Sequence, residues 1–192
     1  MPKEPTVKRL FVFVDGQALY RAAKDAFGYH YPNYDVQKLV EAIAKQQNWK
    51  LVKVCFYTGI PDAHENRLWH EFWAAKLAVM GTRGINIFTR PIRHGHEKGI
   101  DVRIAIDVVR FAIDDAYDVG LIFSQDQDLS EATDEVKIIS KKQDKWRRMA
   151  SAYPVSPKYL NDRGINKTDW IRIEKSLYDQ CIDPNDYRPK VA

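Results

Sequence analysis

The sequence predicts an α/β fold built on a parallel sheet with helices on both faces. Two observations carry this. Short, almost wholly apolar runs recur along the chain, and stretches of helical spacing separate them. Such runs, bounded by polar turn residues, read as strands buried on both faces. Strands that alternate with helices need crossover connections, which make the sheet parallel. A third observation points to the functional end. In such sheets ligands bind beyond the carboxyl ends of the strands. Here the run 10–14 (LFVFV) leads into Asp15, and the run 119–123 (VGLIF) leads into Ser124, Gln125, Asp126 and Asp128.

Taken in order, strand 10–14 ends at Asp15-Gly16, and Leu19, Ala22, Ala23 and Phe27 mark a helix that Gly28 can end. Asn33 or Asp35 can cap the next helix, which carries Val36, Leu39, Val40, Ile43 and Ala44. The stretch 51–57 (LVKVCFY) is a second strand and 66–80 a helix, with Gly81 and Gly84 around a turn. A third strand over 85–89 leads into a basic loop, 90–99. A helix over 100–116, strand 119–123, a helix over 130–142 and a short, less apolar strand over 147–153 follow. That last strand is placed near an edge of the sheet. From Pro154 prolines punctuate the chain, with one short helix over 173–179. The domain is therefore set at 9–150, and 151–192 is read as an extension packed on it.

Length and composition bound the class. At 192 residues the chain suits one domain with a real core. Five Trp, ten Tyr and eight Phe argue against disorder. No apolar run approaches a membrane span, so no membrane partner is expected. The start, MPKEPTVKR, has no apolar segment before a cleavage site, and Cys55 and Cys181 stand in no metal-ligand spacing. The expected location is the cytoplasm. A net charge of +4 is mild, but its distribution is uneven. Arg83, Arg90, Arg93, His94, His96 and Lys98 crowd one stretch, and Lys141, Lys142, Lys145, Arg147 and Arg148 another.

Asp15 and Asp126 fall together by the strand-end rule, and Asp101, at the start of the third crossover helix, joins them from an inward helix face. Each has a plainer role open to it. Asp126 or Asp128 can cap the helix that follows, and Asp101 can complement a helix dipole. Asp107, lower on the same helix, is read as structural and paired to a cation. Four carboxylates together repel unless a hard cation such as Mg²⁺ or Mn²⁺ binds them. Such a cation activates water and neutralises charge on a phosphate. GxGxxG and GxxxxGK[ST] are both absent, and no Ser or Cys is placed as an activated nucleophile. The chemistry that fits is phosphodiester hydrolysis.

FVDGQALY (13–20), KGIDVRIAID (98–107) and IFSQDQDLSE (122–131) resemble, in order and spacing, the NYN domain, also called the LabA-like or DUF88 group, of the PIN-like nuclease superfamily. The tail resembles an extension seen in one bacterial subgroup. The resemblance implies a PIN-like, Rossmann-like three-layer sandwich with a mostly parallel central sheet. It also implies a metal-dependent ribonuclease with Mg²⁺ or Mn²⁺ held by Asp15, Asp101 and Asp126, and Asp128 as the fourth acidic position. The chain departs from the pattern twice. Ala18 stands where the family usually has Asn, and Gln125 where it usually has Gly. Ala cannot hydrogen-bond, and Gln17 would point elsewhere from a first helical turn.

The leading expectation is an endoribonuclease acting on single-stranded RNA, whose backbone Lys98, Arg90 and Arg93 hold. The alternative is a PIN-like module that binds RNA or a protein partner without cutting, which Ala18 favours. A phosphotransfer receiver fits poorly, because the second strand ends in Tyr57-Thr58-Gly59 rather than in an acceptor Asp. A homodimer is compatible with the sequence.

Overall fold

The computed structural model describes residues 2–92, 98–159 and 161–189. Among these, six strands form one sheet in the order β3-β2-β1-β4-β5-β6, and every pairing is parallel. The strands are β1 (Lys8–Asp15), β2 (Trp49–Pro61), β3 (Asn86–Ile92), β4 (Val119–Phe123), β5 (Arg148–Pro154) and β6 (Asp169–Ile173). The helices are α1 (Gly16–Phe27), α2 (Val36–Gln46), α3 (Arg67–Thr82), α4 (Ile100–Ile113), α5 (Ser130–Gln143) and α6 (Lys175–Gln180).

Alternation along each strand splits the core in two, since successive side chains point to opposite faces. Leu10, Val12 and Val14 of β1, with Phe56, Leu121 and Phe123, meet Leu19, Leu39, Ile43, Phe72 and Trp73 of α1, α2 and α3. Phe11 and Phe13, with Tyr57 and Ile122, meet Ile104, Val108, Val136 and Ile139 of α4 and α5. Helices following β1 and β2 thus cover one face, and those following β3 and β4 the other. The chain diverges between β1 and β4, the point at which doubly wound sheets open a crevice.

Several local signals act as the sequence suggests. Asp35 caps α2 through Lys38 N–H, Asn66 caps α3 through Trp69 N–H, and Gly28 ends α1 at a φ of 81°. Asp107 is buried, accepts from the Tyr57 hydroxyl at 2.9 Å and pairs with Arg103 and Arg110. β5 lies near an edge of the sheet as expected, with β6 paired along its outer side and Met149 to Pro154 all buried. One expectation needs correction. The tail holds not only a helix but β6 as well. The residues of β6 (DWIRI) alternate between exposed and buried, the look of a charged edge strand rather than of a core run. β2 also extends well beyond 51–57. Its amino half pairs with β1 and its carboxyl half with β3, so each part of the longer strand finds a partner.

The tail is tied to the core by buried polar contacts. Lys76, 1% exposed, donates to the Tyr34 carbonyl at 2.7 Å and pairs with Asp183 at 3.2 Å. The Tyr178 hydroxyl donates to Asn33 at 2.8 Å. No helix is long and apolar enough to cross a membrane among the described residues.

Candidate active site

A cleft of about 630 Å³ opens at the carboxyl ends of β1, β4 and β5. Asp15 closes β1 and caps α1, its Oδ1 accepting from Ala18 N–H at 2.9 Å. The cap is tight because Gly16 follows: a Cβ there would stand 2.4 Å from the Phe56 ring. Asp126 ends the turn after β4. Its Oδ1 accepts from Asp128 N–H at 3.0 Å and so caps the 3₁₀ turn Gln127–Leu129. Asp101 enters from the first turn of α4. All three carboxylates line the cleft. Capping and cleft lining therefore coexist at Asp15 and Asp126.

The remaining sequence candidates fall elsewhere. Asp128 is exposed and does not line the cleft; its backbone N–H serves Asp126. Arg90 lies on β3 with its guanidinium 5.0 Å from the Phe88 ring centre, and Lys98 is exposed just ahead of α4. Neither lines the cleft, and Arg93 lies outside the described residues. Ala18 does line it, so an Asn there would place an amide beside Asp15. Gln17 contributes to the lining, but its side-chain amide turns away as expected, standing 3.5 Å from the Thr58 hydroxyl, which does not line the cleft.

Four lining residues carry functional groups that sequence reasoning passed over: Arg21, Asp25, Tyr153 and Tyr159. Arg21, Ala22 and Asp25 follow Ala18 by three, four and seven residues on α1, so they share the face that overlooks the strand ends. That spacing was the available signal for Arg21. Tyr153 ends the strand expected over 147–153, so the strand-end rule was its signal, whereas Tyr159 comes from the extension and had none.

The electrostatics single out Asp15. Burial of its carboxyl group pushes its pKa up to about 6, and the charge of Asp126 adds to the rise. The Ala18 and Gln17 N–H groups and Arg21 pull against it. Among the described residues no three His, Cys, Asp or Glu side chains gather closely enough to hold a metal ion by themselves. The donor set nonetheless suits a hard cation that keeps much of its water and takes one or two carboxylates together with substrate phosphate oxygens.

The family follows from a comparison of the sequence. A model of the NYN domain matches residues 9–146. The chain belongs to the NYN domain family. NYN domains are part of the PIN-like nuclease superfamily, and the all-parallel α/β sandwich of this NYN chain is consistent with that fold. No curated protein gives a match. Among solved structures, a protein of unknown function from Vibrio parahaemolyticus superposes with a TM-score of 0.59 at 18% identity, over 90% of this chain and 97% of that one. At that identity the likeness is one of fold.

The NYN match stops short of the extension, and the departure at Gln125 bears on that boundary. Its side-chain amide donates to the carbonyls of Asn161 and Arg163 at 2.8 and 3.0 Å. Gln127 donates to the Gly164 carbonyl at 3.0 Å and accepts from Asn166 N–H at 3.1 Å. The loop that carries Asp126 is thus clamped to the extension by two glutamines. Gln125→Gly, which restores the usual family residue, is expected to lower stability by about 1–2 kcal/mol in urea titrations. It should also make the 161–166 amides exchange faster in hydrogen-exchange measurements.

Proposed function

We propose that this NYN protein is a metal-dependent ribonuclease that hydrolyses single-stranded RNA in the cleft between β1 and β4. One observation carries the reading. Asp15 and Asp126 end strands that sit side by side around the point where the sheet changes direction, and they repel one another across a polar cleft that Asp101 also lines. A buried carboxylate that shares a polar cleft with two others is a place a hard cation would stabilise.

Asp15, Asp126 and Asp101 would hold Mg²⁺ or Mn²⁺. When bound, the ion supplies an activated water and neutralises charge developing on the phosphate. The chain's own residues do the remainder. The caps at Ala18 and Asp128 fix one oxygen of Asp15 and one of Asp126, which limits how far either carboxylate can turn. Among the described residues Arg21 is the cation of the cleft lining, and it offers a bidentate partner for a phosphate. The cleft, of about 630 Å³, is of small-molecule dimension, the size of a nucleotide or two of unpaired strand.

The test is a cleavage assay on labelled single-stranded RNA with Mn²⁺, Mg²⁺ or chelator. Cleavage is expected with metal and none with chelator. Ala18→Asn should raise the rate by roughly 2- to 10-fold, the worth of one well-placed hydrogen bond. Ala18 supports a second reading, a module that holds RNA without cutting it. That reading takes over if neither the chain nor its Ala18→Asn variant cuts RNA that both bind.

A further inference from the structure

The cleft does not end at the carboxylates. A second groove, also of about 630 Å³, lies against the carboxyl-terminal part of α1 and is lined by Ala26, Phe27, Val155, Pro157, Arg172 and Lys175, among others. The two hollows follow one another along α1: Ala18 to Asp25 line the first, and Ala26 and Phe27 the second. Tyr159 lines both. It is half-buried and stands on the short turn that its bridge with Ser156 closes. Tyr153, by contrast, is buried, and its hydroxyl donates to Asp162. Tyr159 is thus the aromatic wall between the carboxylate cleft and a groove with an apolar lining.

The groove lining balances the cations Arg172 and Lys175 against the carboxylates Asp162 and Glu174. Arg172 pairs with Asp162 at 2.7 Å and Lys175 with Asp179 at 2.6 Å, both in exposed positions. Exposed pairs of this kind are worth little to stability. A hollow with an aromatic wall and an apolar lining offers what an unpaired base recognises, a face to stack on.

We infer that the C-terminal extension is an RNA-binding device, in which Tyr159 stacks an unpaired base and leads the strand from the cleft into the second groove. The inference rests on the ribonuclease reading for its choice of ligand. The glutamine clamp gives the arrangement a purpose. Because Gln125 and Gln127 join the extension to the loop of Asp126, a base seated on Tyr159 sets where its neighbouring phosphate lies relative to the carboxylates. Stacking accepts any base, so this device selects single strands rather than a sequence.

The test measures anisotropy of a labelled 12-nucleotide oligouridylate, and of the same oligomer without bases, in Asp126→Asn protein with Mn²⁺, so that binding is read without cleavage. Tyr159→Ala is expected to weaken the base-containing RNA by about 5- to 100-fold. Tyr159→Phe, which keeps the ring, should stay within about twofold of the parent. All three proteins should bind the base-free oligomer alike. Equal affinity of the Ala variant and the parent for oligouridylate overturns the inference while leaving the ribonuclease reading intact. So does an equal fall in the Phe and Ala variants, which would assign the effect to the hydroxyl. Failure of both this parent and the unsubstituted chain, the latter measured in chelator, to bind either oligomer overturns both.

Discussion

Asp126→Asn is expected to reduce RNA cleavage by roughly 10²–10³-fold or more while leaving the fold at least as stable. The reason is its double duty. Asp126 caps the 3₁₀ turn through Asp128 N–H and lines the cleft beside Asp15. Asn caps about as well as Asp, so the turn survives. The charge that faces Asp15 and would hold the metal is gone. Asp126→Ala should lose the activity and also about 1 kcal/mol of stability, because the cap goes with the charge. Both variants belong in an Ala18→Asn background, where the starting rate is highest. A fully active Asp126→Asn protein would leave Asp126 a cap and nothing more, and the proposed centre would lose one of its two strand-end ligands.

Asp15→Asn should produce the largest change in pH behaviour. In the metal-free protein, burial first and the Asp126 charge after it raise the Asp15 pKa from the usual 3.8 to about 6. The folded state therefore binds the proton more tightly than the unfolded chain. Its contribution is full below about pH 4 and is lost as the pH rises through 6, so ionised Asp15 destabilises the apo fold near neutrality. By linkage the cost at pH 8 is about 2–3 kcal/mol. Asn keeps the cap on Ala18 N–H and cannot ionise. The variant should be more stable than the parent at pH 8 by about 2 kcal/mol and alike at pH 4. Urea titrations at the two pH values measure this. Mn²⁺ should raise the melting temperature of the parent, since ligand bound only by the folded state stabilises it. In Asp15→Asn that response should shrink sharply, along with cleavage. Parallel pH profiles for the two proteins would mean that Asp15 is not held at cost in the apo site.

Much of the fold was legible because it is written locally. LFVFV and VGLIF are apolar at every position, and only a strand covered on both faces accommodates that. Asp35, Asn66 and Gly28 punctuate helices through bonds to residues three or four away. Asp15 and Asp126 were legible for the same reason: strand-end position follows from the run that precedes it, and parallel topology puts those ends together. Asp128 shows the limit. Its spacing from Asp126 matches an acidic motif, yet the 3₁₀ turn uses its backbone, and its side chain does not line the cleft.

By itself, then, the sequence determined the family, the parallel α/β sandwich and the two strand-end carboxylates of the cleft. Each depends on periodicity or on motifs within a few residues. Tertiary structure alone decided the rest. It set β6 outside β5, although DWIRI is too charged to announce a strand, because an edge strand buries only alternate residues. It brought Tyr159 into the cleft lining and fastened the extension to the Asp126 loop through Gln125 and Gln127, across more than 30 residues of chain. A glutamine amide finds its carbonyl partners only where two distant segments pass within hydrogen-bonding distance, and no local pattern records that crossing.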